Sequence, residues 1–295
     1  MLTLAHLTDP HLPLTPARPG QLVGKRLLGW LSWQRRRRSI HRPEVLAALV
    51  GDVCDHAPDV VAVTGDLCNI ALPAEIEQAR AWLGRLGPPD SVAVVPGNHD
   101  AYAPAEPGQG VERWGAYMAG DGGAAGFPWL RVRGDVAIVG VSSAVPMPWY
   151  SAGGRVGAAQ TEAARRLLAE QGRAGRFRVL LIHHPPVPGG ARRKRLADMA
   201  PFAAAVAGSG VELVLHGHTH VSALGRLQTA AGSAPVVGVA SASARPVGHA
   251  EKARWNLYRI ERRDDGWHVA VTVRGLAGAG FATDARFDLP VRRAA

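Results

Sequence analysis

The sequence is poor in cysteine and has no hydrophobic run long enough to cross a membrane. Its two cysteines, Cys54 and Cys68, lie on either side of one short apolar segment. The chain opens Met1-Leu2-Thr3 and runs directly into apolar residues, without the charged start and cleavable stretch of an export signal. We therefore expect a cytoplasmic protein with reduced thiols and no disulfide. No apolar run approaches the roughly 18–20 residues that a spanning helix needs.

Internal repeats, low-complexity tracts and long linkers are also missing from the sequence. A chain of 295 residues with 47% hydrophobic content can bury one large core. We therefore predict a single domain over residues 1–295.

Five short stretches place Asp, Asn or His directly after an apolar run. They are Asp9-Pro-His11, Gly65-Asp66, Gly97-Asn98-His99-Asp100, His183-His184-Pro185 and Gly217-His218-Thr219-His220. Short, branched apolar runs bounded by Gly and Pro indicate strands buried on both faces. The segments between them, notably 44–55, 75–86, 160–171 and 196–207, have helical composition, so strands and helices alternate. The polar residues are thus predicted at the C-terminal ends of strands, where open α/β sheets build their sites.

These side chains supply enough ligands for two metal ions. Carboxylate oxygen and imidazole nitrogen suit Mn, Fe or Zn, whereas calcium prefers oxygen ligands only. None of the five stretches contains cysteine, which argues against a thiolate zinc site. An Asp between two ions can bridge them, and ions about 3.5–4 Å apart can clamp the attacking and leaving oxygens at phosphorus. The pattern therefore favours phosphoryl transfer.

The five stretches, in this order, resemble the motifs of the calcineurin-like metallophosphoesterases: D-x-H, GD, GNH(D/E), H and GHxH. They span residues 9 to 220, about three quarters of the chain. The resemblance implies an α/β fold, a four-layer αββα sandwich of two mixed β-sheets flanked by helices, with a binuclear metal site at the sheet edge. Residues Trp255–Ile260 and Trp267–Arg274 surround an Asp-Asp-Gly turn and predict a β-hairpin at about 255–274. We expect this hairpin to complete the second sheet.

The resemblance also implies a role for each motif residue. The first ion is expected to bind Asp9, His11, Asp66 and His220. The second is expected to bind Asp66, Asn98, His183 and His218, so that Asp66 bridges the two. By the same resemblance, His99 contacts the substrate phosphate and helps the leaving oxygen depart, and Asp100 orients the His99 imidazole.

Two histidines next to these motifs leave alternatives open. His183 and His184 are adjacent and point in opposite directions if the strand continues, and we favour His183 because it comes first after the apolar run. His216, two residues before His218, is expected to be a packed strand residue rather than a ligand.

Acidic residues are absent between Asp9 and Glu44, a stretch that contains a basic insertion at about 14–42. Its eight basic residues are Arg18, Lys25, Arg26, Arg35, Arg36, Arg37, Arg38 and Arg42. On a helix Val23, Leu27, Trp30 and Leu31 would share one face, and Trp33 follows. Residues 20–42 are therefore candidates to dock on an anionic membrane or a lipid substrate, which would place the protein at the inner face of the membrane. The alternatives are a cap over the site or a segment packed on the domain, and aliphatic residues among the aromatics make nucleic acid a poor fit.

The sequence thus predicts a metal-dependent phosphoesterase, a phosphodiesterase or pyrophosphatase in which a metal-bridging hydroxide attacks phosphorus in line. Its substrate is a phosphate ester larger than orthophosphate. Cyclic nucleotides, glycerophosphodiesters and nucleoside-diphosphate lipids are all substrates of enzymes with these motifs. A nuclease and a non-catalytic metal-binding scaffold are the alternatives.

Overall fold

Two six-stranded β-sheets pack face to face in this computed structural model, which describes residues 1–123, 126–230 and 232–291. Numbered along the chain, the strands are β1 (Leu2–Leu7), β2 (Val60–Val63), β3 (Val92–Val94), β4 (Trp129–Arg133), β5 (Val136–Gly140), β6 (Phe177–Leu181), β7 (Leu213–His216), β8 (Ala223–Thr229), β9 (Gly232–Gly238), β10 (Arg254–Arg263), β11 (Gly266–Ala277) and β12 (Gly280–Leu289). The helices are α1 (Lys25–Ser32), α2 (Arg38–Ile40), α3 (Pro43–Asp55), α4 (Pro73–Leu86), α5 (Ala158–Arg173) and α6 (Met199–Ser209). Short 3₁₀ turns lie at Pro19–Gln21, Val111–Met118 and Arg192–Lys194, and a π-helical turn, Trp33–Arg37, joins α1 to α2.

Both sheets mix parallel and antiparallel strands, as the predicted αββα sandwich requires. The first has the order β12-β11-β10-β1-β2-β3, with β1, β2 and β3 parallel. The second has the order β4-β5-β6-β7-β9-β8, with β5, β6, β7 and β9 parallel. The predicted fold class is confirmed.

The C-terminal strands join a different sheet from the one we expected. β10 and β11 pair antiparallel around the predicted turn, but β10 also pairs with β1, from Leu2 opposite Ile260 to His6 opposite Asn256. The expectation that the hairpin completes the second sheet is therefore wrong, because it extends the first. A third strand, β12, pairs with β11 and forms the edge of that sheet.

Alternate residues of the central strands face different layers. In β6, Val179 and Leu181 pack into the core between the sheets, whereas Leu180 packs with Leu168 of α5 and Phe202 of α6 on the outer face. All five are fully buried. Because successive strand side chains point to opposite faces, a strand covered on both sides must be apolar throughout. Each such side chain contributes roughly 1.5–3 kcal/mol by its burial.

The parallel strands of both sheets end at one edge of the sandwich, and their following loops carry the polar motifs. The helices return the chain across the outer faces, so each new strand starts at the opposite edge. Within the described residues, no helix has the length and apolarity needed to span a bilayer.

Candidate metal centre

The five motifs meet where the two sheets adjoin, and backbone hydrogen bonds join their loops. The amide of Asp9 donates to the carbonyl of Gly65 at 3.0 Å, and that of His11 donates to the carbonyl of Asp66 at 3.1 Å. Between the sheets, the amide of His218 donates to Asp9 Oδ2 at 3.0 Å. These contacts fix loops from different strands against one another before any side chain binds a ligand.

The backbone is strained at most of the predicted ligands. Among the described residues, seven non-glycine residues have a positive φ, and five of these are Asp9, His11, Asp66, His218 and His220, with values from 38° to 70°. Such conformations cost about 1–3 kcal/mol each and persist where surrounding structure enforces them, commonly at functional sites. The sharp turns that they make direct several side chains toward one point.

Two motif glycines are required by this close approach. A Cβ on Gly97 would lie 2.2 Å from Asp66 Oδ1, and one on Gly217 would lie 2.0 Å from Thr8 Oγ1. Both distances are far below any van der Waals contact, so alanine at either position would displace a ligand loop.

Asp9, His11, Asp66 and His220 form the first ligand group. Their nearest ligating atoms lie within 4.8 Å of one another. His220 Nε2 is 3.1 Å from both Asp9 Oδ1 and His11 Nε2. Asp9 Oδ2 accepts hydrogen bonds from Thr8 and from the His218 amide, whereas Oδ1 is buried and finds no hydrogen-bond partner in the described part of the chain. An unsatisfied carboxylate oxygen facing two imidazoles suits a bound cation.

Asn98, His183 and His218 form the second group, beside the same Asp66. His183 Nε2 lies 3.2 Å from Asn98 Oδ1 and 3.5 Å from Asp66 Oδ2. His218 Nδ1 lies 2.9 Å from Asn98 Oδ1, and its Nε2 is buried without a partner among the residues described. Asp66 Oδ2 is also 3.8 Å from His11 Nε2. One carboxylate oxygen thus lies between the two groups.

Backbone carbonyls orient two of the imidazoles. His11 Nδ1 donates to Cys68 O at 3.1 Å, and His183 Nδ1 donates to Thr64 O at 2.6 Å. Each bond fixes the tautomer that leaves a lone pair on Nε2, the atom that faces the carboxylates. The rings are therefore set to bind a metal through Nε2.

His184 and His216 have other partners. His184 Nδ1 is 2.8 Å from Ser143 Oγ and Nε2 donates to Ala152 O at 3.1 Å, so both ring nitrogens are used although the ring lies near His183 and His218. His216 is buried, with Nδ1 3.0 Å from the carbonyl of Gly217.

The charges of the site favour cations. Burial opposes ionisation of Asp66, but His183, His99 and His11 hold its pKa well below the usual value. Burial likewise lowers the pKa of His183, and Asp66 and Asp9 overcome this and raise it to about 9. Positive charge between these groups is therefore stabilised. Together with the two unsatisfied atoms, the donor set fits two divalent ions.

The contact predicted between Asp100 and His99 differs in the structure. The Asp100 carboxylate accepts three backbone hydrogen bonds of 2.8 Å, from the amides of Asp66, Cys68 and Gly97, and these use both of its oxygens. His99 Nδ1 instead donates to Asn69 O at 2.5 Å. Asp100 therefore fixes the loop that carries Asp66, and the Asn69 carbonyl orients His99.

Sequence reasoning missed Arg37 and His41, which the insertion brings to the centre. Arg37 Nη1 lies 3.2 Å from His99 Nδ1, and His41 packs on His11 with ring centroids 4.5 Å apart. The Trp33 ring lies parallel to His41 at 6.2 Å and is buried, so it is not available at a headgroup surface. The insertion at about 14–42 thus packs on the domain beside the metal centre, and we call it the cap.

Comparison with known proteins agrees with this geometry. The family model described as calcineurin-like phosphoesterase matches residues 2–222. A probable cyclic nucleotide phosphodiesterase of Synechococcus sp. is 28% identical over 223 residues, which are 74% of this chain and 73% of that protein.

Solved structures share the fold. A dimetal phosphatase from Danio rerio gives a TM-score of 0.62 at 15% identity, over 96% of this chain and 98% of that one. A purple acid phosphatase from yellow lupin (Lupinus luteus) seeds gives 0.59 at 13% identity, over 97% and 53%. The family match covers about three quarters of the sequence, including all five motifs. The chain therefore belongs to the calcineurin-like phosphoesterases and is a metal-dependent phosphoric ester hydrolase.

Proposed function

We propose that the protein is a phosphodiesterase or pyrophosphatase with two divalent ions, of Mn, Fe or Zn, held by the two ligand groups. The observation that carries this proposal is the position of Asp66 Oδ2, 3.8 Å from His11 Nε2 and 3.5 Å from His183 Nε2. A carboxylate shared in this way suits a bridged pair of ions. When bound, such ions polarise phosphoryl oxygens and acidify an attacking water.

We expect His99 to assist the leaving group. Because Nδ1 donates to Asn69 O, Nε2 carries the lone pair and is left for the substrate. Burial, with Arg37 nearby, lowers the pKa of His99 to about 3, so the ring is neutral in the free site. To protonate the leaving oxygen, the ring would first take a proton from solvent onto Nε2, an uptake that the negative charge of a bound phosphate ester favours.

Two clefts flank the centre, which favours a diester over a monoester. The smaller, about 180 Å³, is lined by Asn98, His99 and the exposed rings of Trp149 and Tyr150. The larger, about 630 Å³, lies beside His218 and combines apolar walls with the basic segment 193–195. A phosphorus with two ester substituents can fill both clefts, whereas a monoester fills one.

The aromatic lining of the smaller cleft suits a planar group such as a nucleobase. Similarity to the Synechococcus protein also supports a cyclic nucleotide among the candidate substrates. Lipid contact by residues 20–42 stays a prediction. The exposed Val23, Leu27 and Leu28 favour it, whereas Trp33 is already packed against His41.

The test is metal analysis followed by a substrate panel. Purified protein should hold two divalent ions per chain. With Mn²⁺ it should hydrolyse bis(4-nitrophenyl) phosphate with a kcat/KM at least about tenfold above that for 4-nitrophenyl phosphate, because filling the second cleft adds binding energy in the transition state. Cyclic AMP, a nucleoside-diphosphate lipid and single-stranded DNA complete the panel. A monoester preference would overturn the diesterase proposal, and a scaffold would hydrolyse none of them.

A further inference from the structure

Arg37 brings a positive charge to the metal centre without a carboxylate partner. It ends the π-helical turn of the cap and is half-buried. Its Nη1 lies 3.2 Å from His99 Nδ1 and its Nη2 lies 3.4 Å from His11 Nε2. Within the described residues, no Asp or Glu oxygen lies within 4.0 Å of its guanidinium. A guanidinium withdrawn from water normally gains a direct acceptor, whereas Asp66 and Asp9 favour the charge of this one from a distance, without a hydrogen bond to it.

Neither imidazole can accept a hydrogen bond from Arg37 when an ion occupies the first ligand group. The hydrogen on His99 Nδ1 is directed at Asn69 O, so this nitrogen has no lone pair to offer Arg37. His11 Nε2 does carry a lone pair, because Nδ1 donates to Cys68 O, but that lone pair belongs to the first ligand group. An ion held by this group would use that lone pair, and both arms of the guanidinium would then lack an acceptor on the imidazoles.

We propose that Arg37 is a substrate-binding residue that donates to the oxygens of the phosphoryl group held at the metal centre. The guanidinium is planar and its paired N–H groups match two phosphate oxygens, which a lysine ammonium cannot do. Its place between His99 and His11 is also where a phosphoryl group would bridge the leaving-group residue and the first ligand group. This inference rests on the proposed function, since it takes a phosphate ester as the ligand.

The cap is anchored in a way that holds Arg37 in this position. Arg26 of α1 donates to the carbonyls of Ile70 and Ala71 at 3.2 and 3.0 Å. Gly29 packs so closely that a Cβ would lie 2.5 Å from Ile70 Cγ2. After the π-helical turn, the amide of His41 donates to the Arg37 carbonyl at 2.8 Å. The backbone is therefore fixed on both sides of the side chain.

The arginines next to Arg37 provide matched controls. Arg35, Arg36 and Arg38 are exposed, and Arg38 donates to Gln34 Oε1. Substituting Arg36 removes the same charge from the same segment but leaves the metal centre untouched. A general effect of net charge can thus be separated from a contact made by one guanidinium.

The experiment compares Mn²⁺-loaded wild type with Arg37→Gln, Arg37→Lys and Arg36→Gln. Inorganic phosphate is the probe, its affinity is measured by calorimetry, and metal content is measured on the same samples. Arg37→Gln should keep two ions and bind phosphate about 10–100-fold more weakly, because it loses a pair of charge-assisted hydrogen bonds. Arg37→Lys should recover part of the affinity, and Arg36→Gln should match the wild type.

Phosphate affinity within about twofold of wild type in Arg37→Gln overturns the proposal, since a factor of two is only about 0.4 kcal/mol. Loss of ions from that variant also overturns it, because Arg37 would then support the metal ligands instead of the substrate. If wild-type protein binds phosphate through Arg37 but hydrolyses no ester in the panel, the proposed diesterase activity fails and the anion site stands.

Discussion

Strand β6 has a buried polar group near each end, and the two ends differ in how these groups are satisfied. Near its start, Arg178 donates through Nε and Nη2 to both oxygens of Glu212, at 2.8 and 2.6 Å, and through Nη1 to the carbonyls of Leu168 and Ser209. Just past its end, His183 Nε2 faces the oxygens of Asn98 and Asp66. The first cluster is complete within the chain, whereas the second would be completed by a bound ion.

Within one strand, the buried polar groups near the start stabilise the fold, and those past the end belong to the candidate metal site. A buried charge costs free energy unless it is paired and hydrogen-bonded, and Arg178 and Glu212 meet both conditions. At the other end, Asp9 Oδ1 and His218 Nε2 have no hydrogen-bond partner among the described residues. Ions that bind at this end would stabilise the folded state, and the size of this stabilisation depends on the ion concentration.

The largest expected effect comes from removing the charge shared by the two ligand groups. Asp66→Asn should lose both ions, and hydrolysis should fall by about 10³-fold or more, because bound ions contribute several kcal/mol and each 1.36 kcal/mol is tenfold in rate. The melting temperature of the wild type should rise on addition of Mn²⁺, and that of the variant should not. Metal content and thermal scans measure this. Two retained ions and full activity would remove Asp66 from the shared position.

A substitution near the start of β6 should lower the stability of the fold and leave metal binding unchanged. Arg178→Met leaves Glu212 buried and unpaired, and it should lower the free energy of unfolding by about 3–5 kcal/mol. Urea unfolding at fixed Mn²⁺ concentration measures the loss, and Mn²⁺ should still raise the melting temperature. Arg178→Met with Glu212→Leu is the control and should recover most of the stability. A loss below about 1 kcal/mol in the single variant would contradict the contrast between the two ends.

His99→Gln should lower the rate of hydrolysis without loss of the bound ions. We expect two ions to remain and kcat to fall by about 10²–10³-fold, with a larger loss for esters with poor leaving groups. Rates on an aryl and an alkyl phosphodiester measure the difference. His249→Gln is the control, since that histidine is exposed. An equal loss on both esters would show that His99 positions the phosphate without assisting the leaving oxygen.

The smallest effect on stability is expected at an exposed ion pair, which serves as the reference for the buried pair of Arg178 and Glu212. Glu162 of α5 accepts hydrogen bonds from Arg165 and Arg166 on the helix surface. Water screens such pairs, so Glu162→Gln should leave the melting temperature within about 1 °C of wild type in a thermal scan. A shift as large as that of Arg178→Met would mean that burial does not distinguish the two pairs.

Much of the fold could be predicted because its signals are local. Continuous apolar runs predicted the parallel strands, and the segments with helical composition correspond to α3, α4, α5 and α6 with ends that differ by a few residues. The pairing of β10 with β1 could not be predicted this way, since the two strands are some 250 residues apart. An apolar strand carries no local sign of which sheet it joins.

The ligand set was predicted from the resemblance of the five motifs to those of the calcineurin-like metallophosphoesterases, and the structure brings its side chains together without testing which atoms bind ions. Side chains outside the motifs could not be found in the same way. Arg37 is one of four consecutive arginines, and a π-helical turn sets which of them faces the centre. The usual helical period does not hold there, so no pattern singles it out. Asp100 is adjacent to His99 in sequence, but its carboxylate is taken by three amides.

Backbone contacts fix both ends of the cap. The chain leaves the centre just after His11, whose loop is fixed by the bond from the Leu12 amide to the Leu67 carbonyl, and it returns at His41, which bridges to Ala244. Both anchors are backbone contacts, so they are indifferent to the sequence between them. Doubling the length of a flexible loop costs only about 0.6 kcal/mol. A change in the length of this segment should therefore cost little free energy of loop closure and leave the backbone contacts of the motif loops in place.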